Sequence, residues 1–376
     1  MIKVITILGT RPEIIRLSQT ILQLDKYVDH ILVHTGQNYD YELNEVFFQD
    51  LNLRKPDYFL NVDTNSLASV YAGVLMGVEK VFLAEKPDAV LILGDTNSAI
   101  SAIVARRMKI PVYHMEAGNR CFDLNVPEET NRRIVDHVSD FNLVYTEHAR
   151  RNLLSEGIAS RRIYLIGSPM QEVLNAHIKN IECSTVLPKL GLSPDKYFLA
   201  SIHREENVDR EDRLSTIINA LVRVSEEFSL PVIVSTHPRT RKRIEALGIK
   251  DKNKNIRFMK PFGFHDYIKL QRCARCVISD SGTICEESAI LNFPAVTVRD
   301  AIEHPEALDT GSIIMTGLDV DTIVSAIKAQ TDSTIRFAFK HIPEEYKVTD
   351  TSLRVFKLIL GTVKVSNCWD GIRDFL

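Results

Sequence analysis

The stretch HMEAGNRCFDLNVPEETNR, residues 114–132 of a 376-residue chain, gathers residues that could transfer protons. Glu116 ends an apolar run, and Glu128 and Glu129 follow after a polar segment, with an asparagine and an arginine close behind. Acidic residues in a loop can serve solubility alone. Two carboxyl groups at the ends of different elements can instead act as a general acid and a general base. The neighbouring motifs decide between these interpretations.

A second carboxylate, Asp95 in LGDTNS, also follows an apolar strand. It is either a functional group or the cap of the next helix, which is the commoner role for aspartate. Glu116 is harder to explain structurally, because a carboxylate at the end of a buried run is partnered or has an altered proton affinity. Glu128 and Glu129 would each pair with an arginine four residues later on a helix, so a structural role stays open for both.

Two motifs could bind an anion. GTRPE places Arg11 at a helix N-terminus, where backbone N–H groups and a guanidinium attract phosphate, although an ordinary surface arginine fits the same turn. SDSGTICEES places Ser281, Gly282 and Thr283 between a strand and a helix, so a diphosphate could approach the backbone closely. Glu287, one turn into that helix, could accept hydrogen bonds from a ribose. A capping box explains the same residues.

Composition excludes several classes of function. The chain is 45% hydrophobic and 25% charged with a net charge of −3, which is typical of a soluble globular protein and predicts no nucleic-acid or membrane partner. The N-terminus reads as a strand and turn rather than a signal peptide. GxGxxG and GxxxxGK[ST] motifs are absent from the sequence, so a dinucleotide cofactor is not expected. The single CxxC, Cys273 and Cys276, predicts incidental thiols rather than a metal site, and a reducing cytoplasm fits.

Short β-branched runs alternate with helical patterns along both halves of the chain. KVITIL and PEIIRLSQTILQL predict the first strand and helix, and the same alternation resumes near residue 196 with KYFLASIHRE. We therefore predict an α/β protein with two doubly wound parallel sheets, joined by a linker around residues 180–196. The final helical pattern, DTSLRVFKLILG, could return to the first domain.

The polar motifs fall where a parallel sheet binds its ligands. Arg11, His34, Asp95, Glu116, His203 and the run 280–282 all lie at or just past the ends of predicted strands. In open α/β sheets the ligand lies in the crevice at the carboxyl ends of the strands. We therefore expect one site in a cleft between the two domains.

The motifs GTRPE, TGQ, GDTNS, HMEAGNR, PEETNR, HREEN and SDSGTICEE…EHPEAL stand in the order found in non-hydrolysing UDP-N-acetylglucosamine 2-epimerases, which the chain resembles over roughly residues 1–360. The resemblance implies a glycosyltransferase-B-like fold with two Rossmann-like domains, the active site between them, and a homodimer. It implies an N-terminal domain over 1–175, a UDP-binding domain over 196–345, and a final segment, 346–376, packed on the first domain. It implies neither a cofactor nor a metal.

Roles carry over by motif. Asp95, Glu116 and Glu128 resemble the catalytic carboxylates of the family, and His203 resembles the histidine near the leaving diphosphate. The resemblance assigns the remaining substrate contacts as follows: phosphates to Arg11, Ser281, Gly282 and Thr283, ribose to Glu287, and further substrate or diphosphate contacts to Arg16 and His304.

The narrower resemblance is to a capsule and O-antigen subgroup that converts UDP-2-acetamido-2,6-dideoxy-L-talose to UDP-N-acetyl-L-fucosamine. Departures from the wider family support a different sugar: Arg16 replaces a lysine, His304 replaces an arginine, and NYDYELNE follows TGQ. The alternative is a UDP-N-acetylglucosamine/UDP-N-acetylmannosamine 2-epimerase. Two other classes also stay open, namely a glycosyltransferase of the same fold and a non-catalytic nucleotide-sugar binding protein.

Overall fold

A computed structural model describes residues 1–36, 41–246, 248, 254–332, 334 and 342–372. The NYDYELNE departure begins at residue 38, outside the described residues. The chain divides into two compact units. The first unit comprises Met1–Asn175 together with Lys347–Leu376, and the second comprises Ala176–Tyr346.

The first unit contains a seven-stranded sheet in the order β3-β2-β1-β4-β5-β6-β7, in which every neighbouring pair is parallel. The central strands are buried and apolar, as expected for a sheet covered on both faces. The strands are β1 Lys3–Leu8, β2 Asp29–His34, β3 Tyr58–Phe59, β4 Ala89–Leu93, β5 Val112–Met115, β6 Phe141–Val144 and β7 Ile163–Leu165.

Seven helices alternate with or follow these strands. They are α1 Arg11–Tyr27, α2 Tyr41–Asp50, α3 Leu67–Glu85, α4 Ser101–Arg107, α5 Pro127–Val138, α6 Glu147–Ser155 and α7 Met170–Cys183. The predicted stripe of α1 is buried in full, since Ile14, Leu17, Ile21 and Leu24 are all inaccessible. The helix begins one residue before Pro12, because Glu13 at its third position accepts from the N–H of Thr10 at 2.7 Å.

The second unit contains a six-stranded parallel sheet in the order β10-β9-β8-β11-β12-β13. The strands are β8 Phe198–Ser201, β9 Val232–Ser235, β10 Ile256–Met259, β11 Cys276–Ser279, β12 Ala295–Thr297 and β13 Ile314–Met315. The helices are α8 Val186–Leu190, α9 Glu205–Val208, α10 Glu211–Phe228, α11 Pro238–Ala246, α12 Phe264–Cys273, α13 Ile284–Leu291, α14 Pro305–Asp309 and α15 Val320–Thr331.

The segment expected as a linker, residues 180–196, is structured. It contains the end of α7 and all of α8, and Val186, Leu187 and Leu192 are buried in a core cluster of the second unit. Its apolar residues explain the difference from the expectation, because burying them stabilises the unit more than solvated chain would.

The chain returns to the first unit after Tyr346. Helix α16, Thr351–Thr362, packs against α1, and the Tyr113 and Thr362 hydroxyls lie 2.7 Å apart. The short helix α17, Ser366–Trp369, is followed by Asp370, which pairs with Arg162 and with Arg106. Sequence periodicity indicated helix α16, but neither α17 nor these partners.

Helix α3 combines a buried apolar face with exposed apolar side chains elsewhere along its length. Its Val70, Val74, Val78, Val81 and Phe82 are buried in the core of the first unit, whereas Leu67, Met76 and Leu83 are 64%, 60% and 61% exposed. Within the described ranges it is the one helix long and apolar enough to cross a membrane, and that test is passed by core helices of soluble proteins as well.

Candidate functional site

Asp95 and Glu116 follow neighbouring strands of the first sheet. β4 and β5 pair in parallel with Leu93 opposite Met115, and the N–H of Gly94 donates to the carbonyl of Met115 at 2.9 Å. The two carboxylates therefore emerge at one edge of the sheet, formed by the carboxyl ends of its strands. The side chains of Asp95 and Glu116 are 21% and 11% exposed, so both are largely buried but still reachable by a ligand.

Glu116 forms an ion pair with Arg16, a residue of α1 that is 100 positions away in the sequence. The backbone of Glu116 has φ of +63°, a left-handed conformation that costs energy for a residue with a side chain and is common at functional sites. Arg16, predicted to contact substrate or diphosphate, thus contacts the carboxylate for which the resemblance predicts a catalytic role.

Asp95 is held by Arg132 of α5. The Arg132 Nε donates to Asp95 Oδ2 at 3.0 Å, and a second nitrogen of the same guanidinium also contacts that oxygen. Asn131 adds a bond from its amide to the Asp95 carbonyl at 3.0 Å. The first turns of α5 therefore fix the loop after β4. Asp95 does not cap the next turn, because Thr96 is its N-cap.

The two glutamates of PEETNR differ in environment. Glu129 is fully buried and accepts from Arg132 at 2.8 Å, from Arg133 at 3.0 Å and from the N–H of Cys121 at 3.2 Å. Burial alone would raise its pKa, but these donors outweigh burial and lower it. Glu129 thus has the structural role left open by the sequence, while Glu128 is only partly buried.

A third carboxylate behind this edge, Glu13, was missed as a site residue although it stands in the GTRPE motif. It is 1% exposed and accepts from the N–H groups of Gly9 and Thr10 at 2.7 Å and from the Thr96 hydroxyl at 2.6 Å. Glu13 thereby joins the turn that carries Arg11 to the loop that carries Asp95. Burial raises its pKa to about 7, and the hydrogen bonds only partly offset this.

A buried network of hydrogen bonds and ion pairs contacts the backbone at the ends of β4 and β5. His114 of β5 lies with Nε2 2.8 Å from the Gly94 carbonyl and Nδ1 3.0 Å from Asp136. Asp136 also accepts from Arg120 at 2.7 Å and from the N–H of Gly118 at 3.2 Å. Because Gly94 precedes Asp95 and Gly118 follows Glu116 closely, this network fixes the backbone on which both carboxylates stand.

The remaining strand-end histidine of the first unit, His34, is not exposed for chemistry. It is fully buried, stacks on Phe59 with ring centroids 4.6 Å apart, and burial lowers its pKa to about 4. Arg11 is partly exposed at the first position of α1, with its guanidinium 5.9 Å from the centre of the Phe47 ring.

In the second unit, the predicted anion turn lies between β11 and α13. Ser281, Gly282 and Thr283 are each partly exposed, and the Ser281 and Thr283 hydroxyls lie 3.0 Å apart. A Cβ placed on Gly282 would lie 3.7 Å from both Arg204 Nη2 and His304 Nε2. Two basic side chains therefore flank the glycine, an arrangement suited to a phosphate. Arg204 was missed, although it stands in the quoted HREEN motif.

Carboxylates orient these basic groups. His304 Nδ1 lies 3.2 Å from Glu306, which also accepts from the Tyr346 hydroxyl at 2.5 Å. Burial would raise the pKa of Glu306, but His304 and Tyr346 lower it below its usual range. Arg204 Nη2 lies 3.4 Å from Glu303.

Glu287, the expected ribose ligand, lies one turn into α13 and is 6% exposed. One of its oxygens accepts from the Gln271 amide at 2.6 Å. His203, two residues past β8, has a side chain that is 42% exposed. Over the described part of the chain, no group of three or more His, Cys, Asp or Glu could hold a metal ion. Cys273 and Cys276 are free thiols.

Comparison with known proteins gives these arrangements a context. The sequence family described as UDP-N-acetylglucosamine 2-epimerase matches residues 21–360. The UDP-N-acetylglucosamine 2-epimerase of Methanocaldococcus jannaschii is 38% identical over 334 residues, which cover 87% of this chain and 91% of that protein.

Solved structures of the same family are also similar to this chain. The structure of UDP-N-acetylglucosamine 2-epimerase from Rickettsia bellii matches with a TM-score of 0.91 and 47% identity, covering 98% of each chain. That of the Methanocaldococcus jannaschii enzyme in complex with UDP-GlcNAc and UDP matches with a TM-score of 0.90 and 35% identity, covering 96% of this chain and all of that one.

A trehalose 6-phosphate synthase from Burkholderia multivorans, 12% identical with a TM-score of 0.62 over the whole of both chains, shares the fold alone. The expectation of a glycosyltransferase-B-like α/β fold is confirmed. Fold, motifs and relatives agree, and the chain belongs to the UDP-N-acetylglucosamine 2-epimerase family as a UDP-N-acetyl sugar 2-epimerase, an isomerase.

Proposed function

We propose that the protein interconverts UDP-N-acetylglucosamine and UDP-N-acetylmannosamine by inverting the configuration at C2 of the sugar. The observation that carries the proposal is the pair Asp95 and Glu116, which stand after adjacent strands with an arginine beside each. The relatives reported above are named for UDP-N-acetylglucosamine, which favours this sugar over the 6-deoxy-L-talo substrate predicted from the narrower resemblance.

The chemistry of the substrate limits the mechanism. The hydrogen at C2 is next to an acetal carbon rather than a carbonyl, so removing it alone would leave an unstabilised carbanion. If the C1–O bond to UDP breaks as a carboxylate takes the C2 proton, the electron pair of the C–H bond forms a C1–C2 double bond. The products of this half-reaction are UDP and a 2-acetamidoglycal. Protonation of C2 from the opposite face and return of UDP to C1 complete the epimerisation.

The residues of the first unit supply proton transfer in this proposal. Asp95, Glu116 and Glu128 are the candidates for the groups that remove and return the C2 proton. Arg132 contacts Asp95 and Arg16 contacts Glu116, so each of these two carboxylates is held in place by a guanidinium.

The residues of the second unit hold UDP in this proposal. Ser281, Gly282 and Thr283 bring backbone N–H groups near the diphosphate, and Arg204 and His304 flank it with basic side chains. Glu287 accepts from the ribose, and His203 assists departure of the diphosphate. Arg11, in the first unit, is a further candidate cation for the phosphates.

Deuterium incorporation tests the activity directly. The protein incubated with UDP-N-acetylglucosamine in deuterated water should place label at C2 of both epimers without any added acceptor. UDP release that requires an acceptor would instead support a glycosyltransferase. UDP binding without label or turnover would support a non-catalytic binding protein, and irreversible release of free sugar and UDP would support a hydrolysing enzyme.

A substrate panel tests the sugar. We expect kcat/KM for UDP-N-acetylglucosamine to exceed that for UDP-2-acetamido-2,6-dideoxy-L-talose by at least about 10-fold, the size of one discriminating contact. A preference for the L-talo compound would instead support the narrower prediction, in which the product is UDP-N-acetyl-L-fucosamine for capsule or O-antigen synthesis.

We also infer that the protein acts as a cytoplasmic homodimer. The exposed apolar residues Met76 and Leu83 of α3 support a protein partner, because they lie on the side of the helix opposite Val74 and Val78, which are buried in the core of the first unit. A helix anchored in that way could not insert in a membrane without opening the unit.

A further inference from the structure

Asp280 is a buried carboxylate to which the family resemblance assigns no role. It follows the last residue of β11 and immediately precedes the turn formed by Ser281, Gly282 and Thr283. Its side chain is completely inaccessible to solvent. A fully buried carboxylate needs several donors to stay ionised, and their identity shows what the group organises.

The donors to Asp280 come from the segment that carries His203. The N–H groups of His203 and Arg204 donate to its carboxylate at 3.1 Å each, and the Asn207 amide donates at 3.1 Å. The His203 ring approaches the same carboxylate, with Nδ1 3.2 Å from Oδ1. One buried group thus contacts both the backbone and the ring of the histidine expected at the leaving diphosphate.

The proton on the His203 ring follows from this geometry. Burial alone would raise the pKa of Asp280, but His203, Asn207 and the Arg204 N–H outweigh burial and lower it. An ionised carboxylate can only accept hydrogen bonds, and Nδ1 is the ring nitrogen 3.2 Å from it, so this contact favours the tautomer of His203 with its proton on Nδ1. Nε2, at the far edge of a ring that is 42% exposed, is then left to exchange a proton with a ligand.

A second layer fixes the orientation of Asn207. Its carbonyl oxygen accepts from Arg213 at 3.0 Å, so its amide nitrogen must face Asp280. Arg213 in turn pairs with Asp300 at 2.7 Å, near the surface. A series of contacts therefore connects a half-exposed carboxylate to the exposed imidazole, through Asp300, Arg213, Asn207, Asp280 and His203 in that order.

We propose that Asp280 is a positioning residue that keeps the proton of His203 on Nδ1, so that Nε2 is the nitrogen that exchanges a proton with UDP. The proposal rests on the proposed role of His203 at the leaving diphosphate. In one direction the imidazolium gives its Nε2 proton to UDP as the C1–O bond breaks, and in the other Nε2 takes that proton back as the bond re-forms. The step involves no oxidation or reduction.

The tautomer of His203 tests the proposal without any substrate. In protein labelled with ¹⁵N-histidine, with the signal assigned through His203→Gln, long-range ¹H–¹⁵N spectra at high pH should show neutral His203 protonated at Nδ1. In Asp280→Asn the amide oxygen accepts the same backbone donors, so the new NH₂ group faces Nδ1 and the ring proton should move to Nε2. Unchanged tautomers in the two proteins, or wild-type His203 protonated at Nε2, would overturn the proposal.

Kinetics separate positioning from a merely structural role. Asp280→Asn should lower kcat about 100-fold, while the Kd for UDP stays within about 3-fold of the wild-type value. The substitution impairs proton transfer by His203 and leaves the phosphate contacts in place. Asp321→Asn, at a largely exposed pair with Arg223 in the same unit, is the matched control and should change neither the tautomer nor kcat. A tautomer switch with unchanged kcat would also overturn the proposal.

Failure of the proposed function is distinguishable from failure of this inference. If the wild-type protein shows no epimerisation but His203 has the Nδ1 proton and Asp280→Asn moves it, the assigned activity is wrong and the pairing is right. If Asp280→Asn does not fold, the tautomer of the wild-type protein alone still decides whether Asp280 accepts from Nδ1.

Discussion

At the scale of residues, the three candidate catalytic carboxylates can each be tested by substitution. Exchanging Asp95, Glu116 or Glu128 singly for its amide removes a proton acceptor but preserves shape. We expect turnover to fall at least about 100-fold in each variant. Deuterium exchange at C2 and steady-state rates measure the loss.

The control for these variants is Glu147→Gln, at a half-exposed surface pair with Arg150, which should keep turnover within about 2-fold. The Kd for UDP should stay near that of the wild type in all three amide variants, since the proposed phosphate ligands lie mainly in the second unit. Normal turnover in any one of them would remove that residue from the catalytic set.

Gly282 offers a separate test of the anion turn. An added methyl group would meet Arg204 and His304 at ordinary contact distance, so Gly282→Ala should fold normally. It would occupy space that a phosphate needs between the two basic side chains. We expect the Kd for UDP, measured by calorimetry, to rise about 10-fold or more, the equivalent of about 1.4 kcal/mol.

Gly361→Ala is the matched control, because a Cβ there meets no atom within 4 Å. It should leave UDP binding unchanged. Equal affinity in Gly282→Ala and the wild type would mean that the phosphates bind elsewhere.

Glu13 predicts a pH dependence of stability. Burial raises its pKa from the ordinary 4.5 to about 7, so between these values the folded protein holds a proton that the unfolded chain releases. The free energy of unfolding should therefore fall as pH rises from about 4.5 to about 7, and this contribution is flat outside that window. The full loss is about 3 kcal/mol.

Glu13→Gln should remove that contribution. Denaturant unfolding at pH 5 and pH 8 should show a smaller difference between the two pH values for the variant than for the wild type. Identical differences would show that Glu13 titrates in the folded protein as it does in the unfolded chain.

At the scale of elements, the end of the chain holds the edge of the first sheet. Asp370 accepts from Arg106 at 3.1 Å and pairs with Arg162, while the Arg162 guanidinium lies over the rings of Phe141 and Trp369. These contacts join α17 to β6 and to the turn before β7. Their partial burial makes them stronger than ordinary surface pairs.

Asp370→Asn should therefore destabilise the first unit by about 1–2 kcal/mol, measured on its own unfolding transition in urea. Asp212→Asn breaks a pair with Arg210 in which both side chains are about two-thirds exposed, and we expect almost no change. Equal effects of the two substitutions would mean that the tail contacts contribute no more than a surface pair.

Elements with strong local signals could be predicted from the sequence. β1 and α13 have the predicted bounds, Lys3–Leu8 and Ile284–Leu291, because each pattern is complete within one segment. Helix α3 had no such signal, since apolar residues occur on several of its faces and its period is weak. β3 and β13 are two residues long and exist only through pairing with β2 and β12.

The site shows the same division between local and distant information. Motifs pointed to Asp95, Glu116, His203 and the turn at Gly282. Their partners were not predictable, because Arg16 lies 100 residues from Glu116 and Asp280 lies 77 residues from His203. Only strand order, which sequence patterns do not specify, brings such pairs together.

At the scale of the whole molecule, the exposed Met76 and Leu83 of α3 predict self-association. Sedimentation equilibrium should give a mass twice the 42.6 kDa of one chain. Met76→Glu places a charge in the middle of the exposed face and should shift the protein toward monomer, while the free energy of unfolding of the first unit stays near that of the wild type.

Leu360→Glu, at a half-exposed position on α16, is the control and should leave the dimer intact. A wild-type monomer at micromolar concentration would contradict the prediction, as would a Met76→Glu protein that remains fully dimeric.

The return of the chain at Lys347 has a consequence for biosynthesis. The second unit is one continuous segment, whereas the first is interrupted and is completed by α16 and α17. On the ribosome, Ala176–Tyr346 can therefore finish folding while Arg162, Arg106 and Glu172 still await their partners. The half of the enzyme translated first is the half completed last, and nascent chains stalled before Thr351 should be sensitive to proteolysis in the first unit.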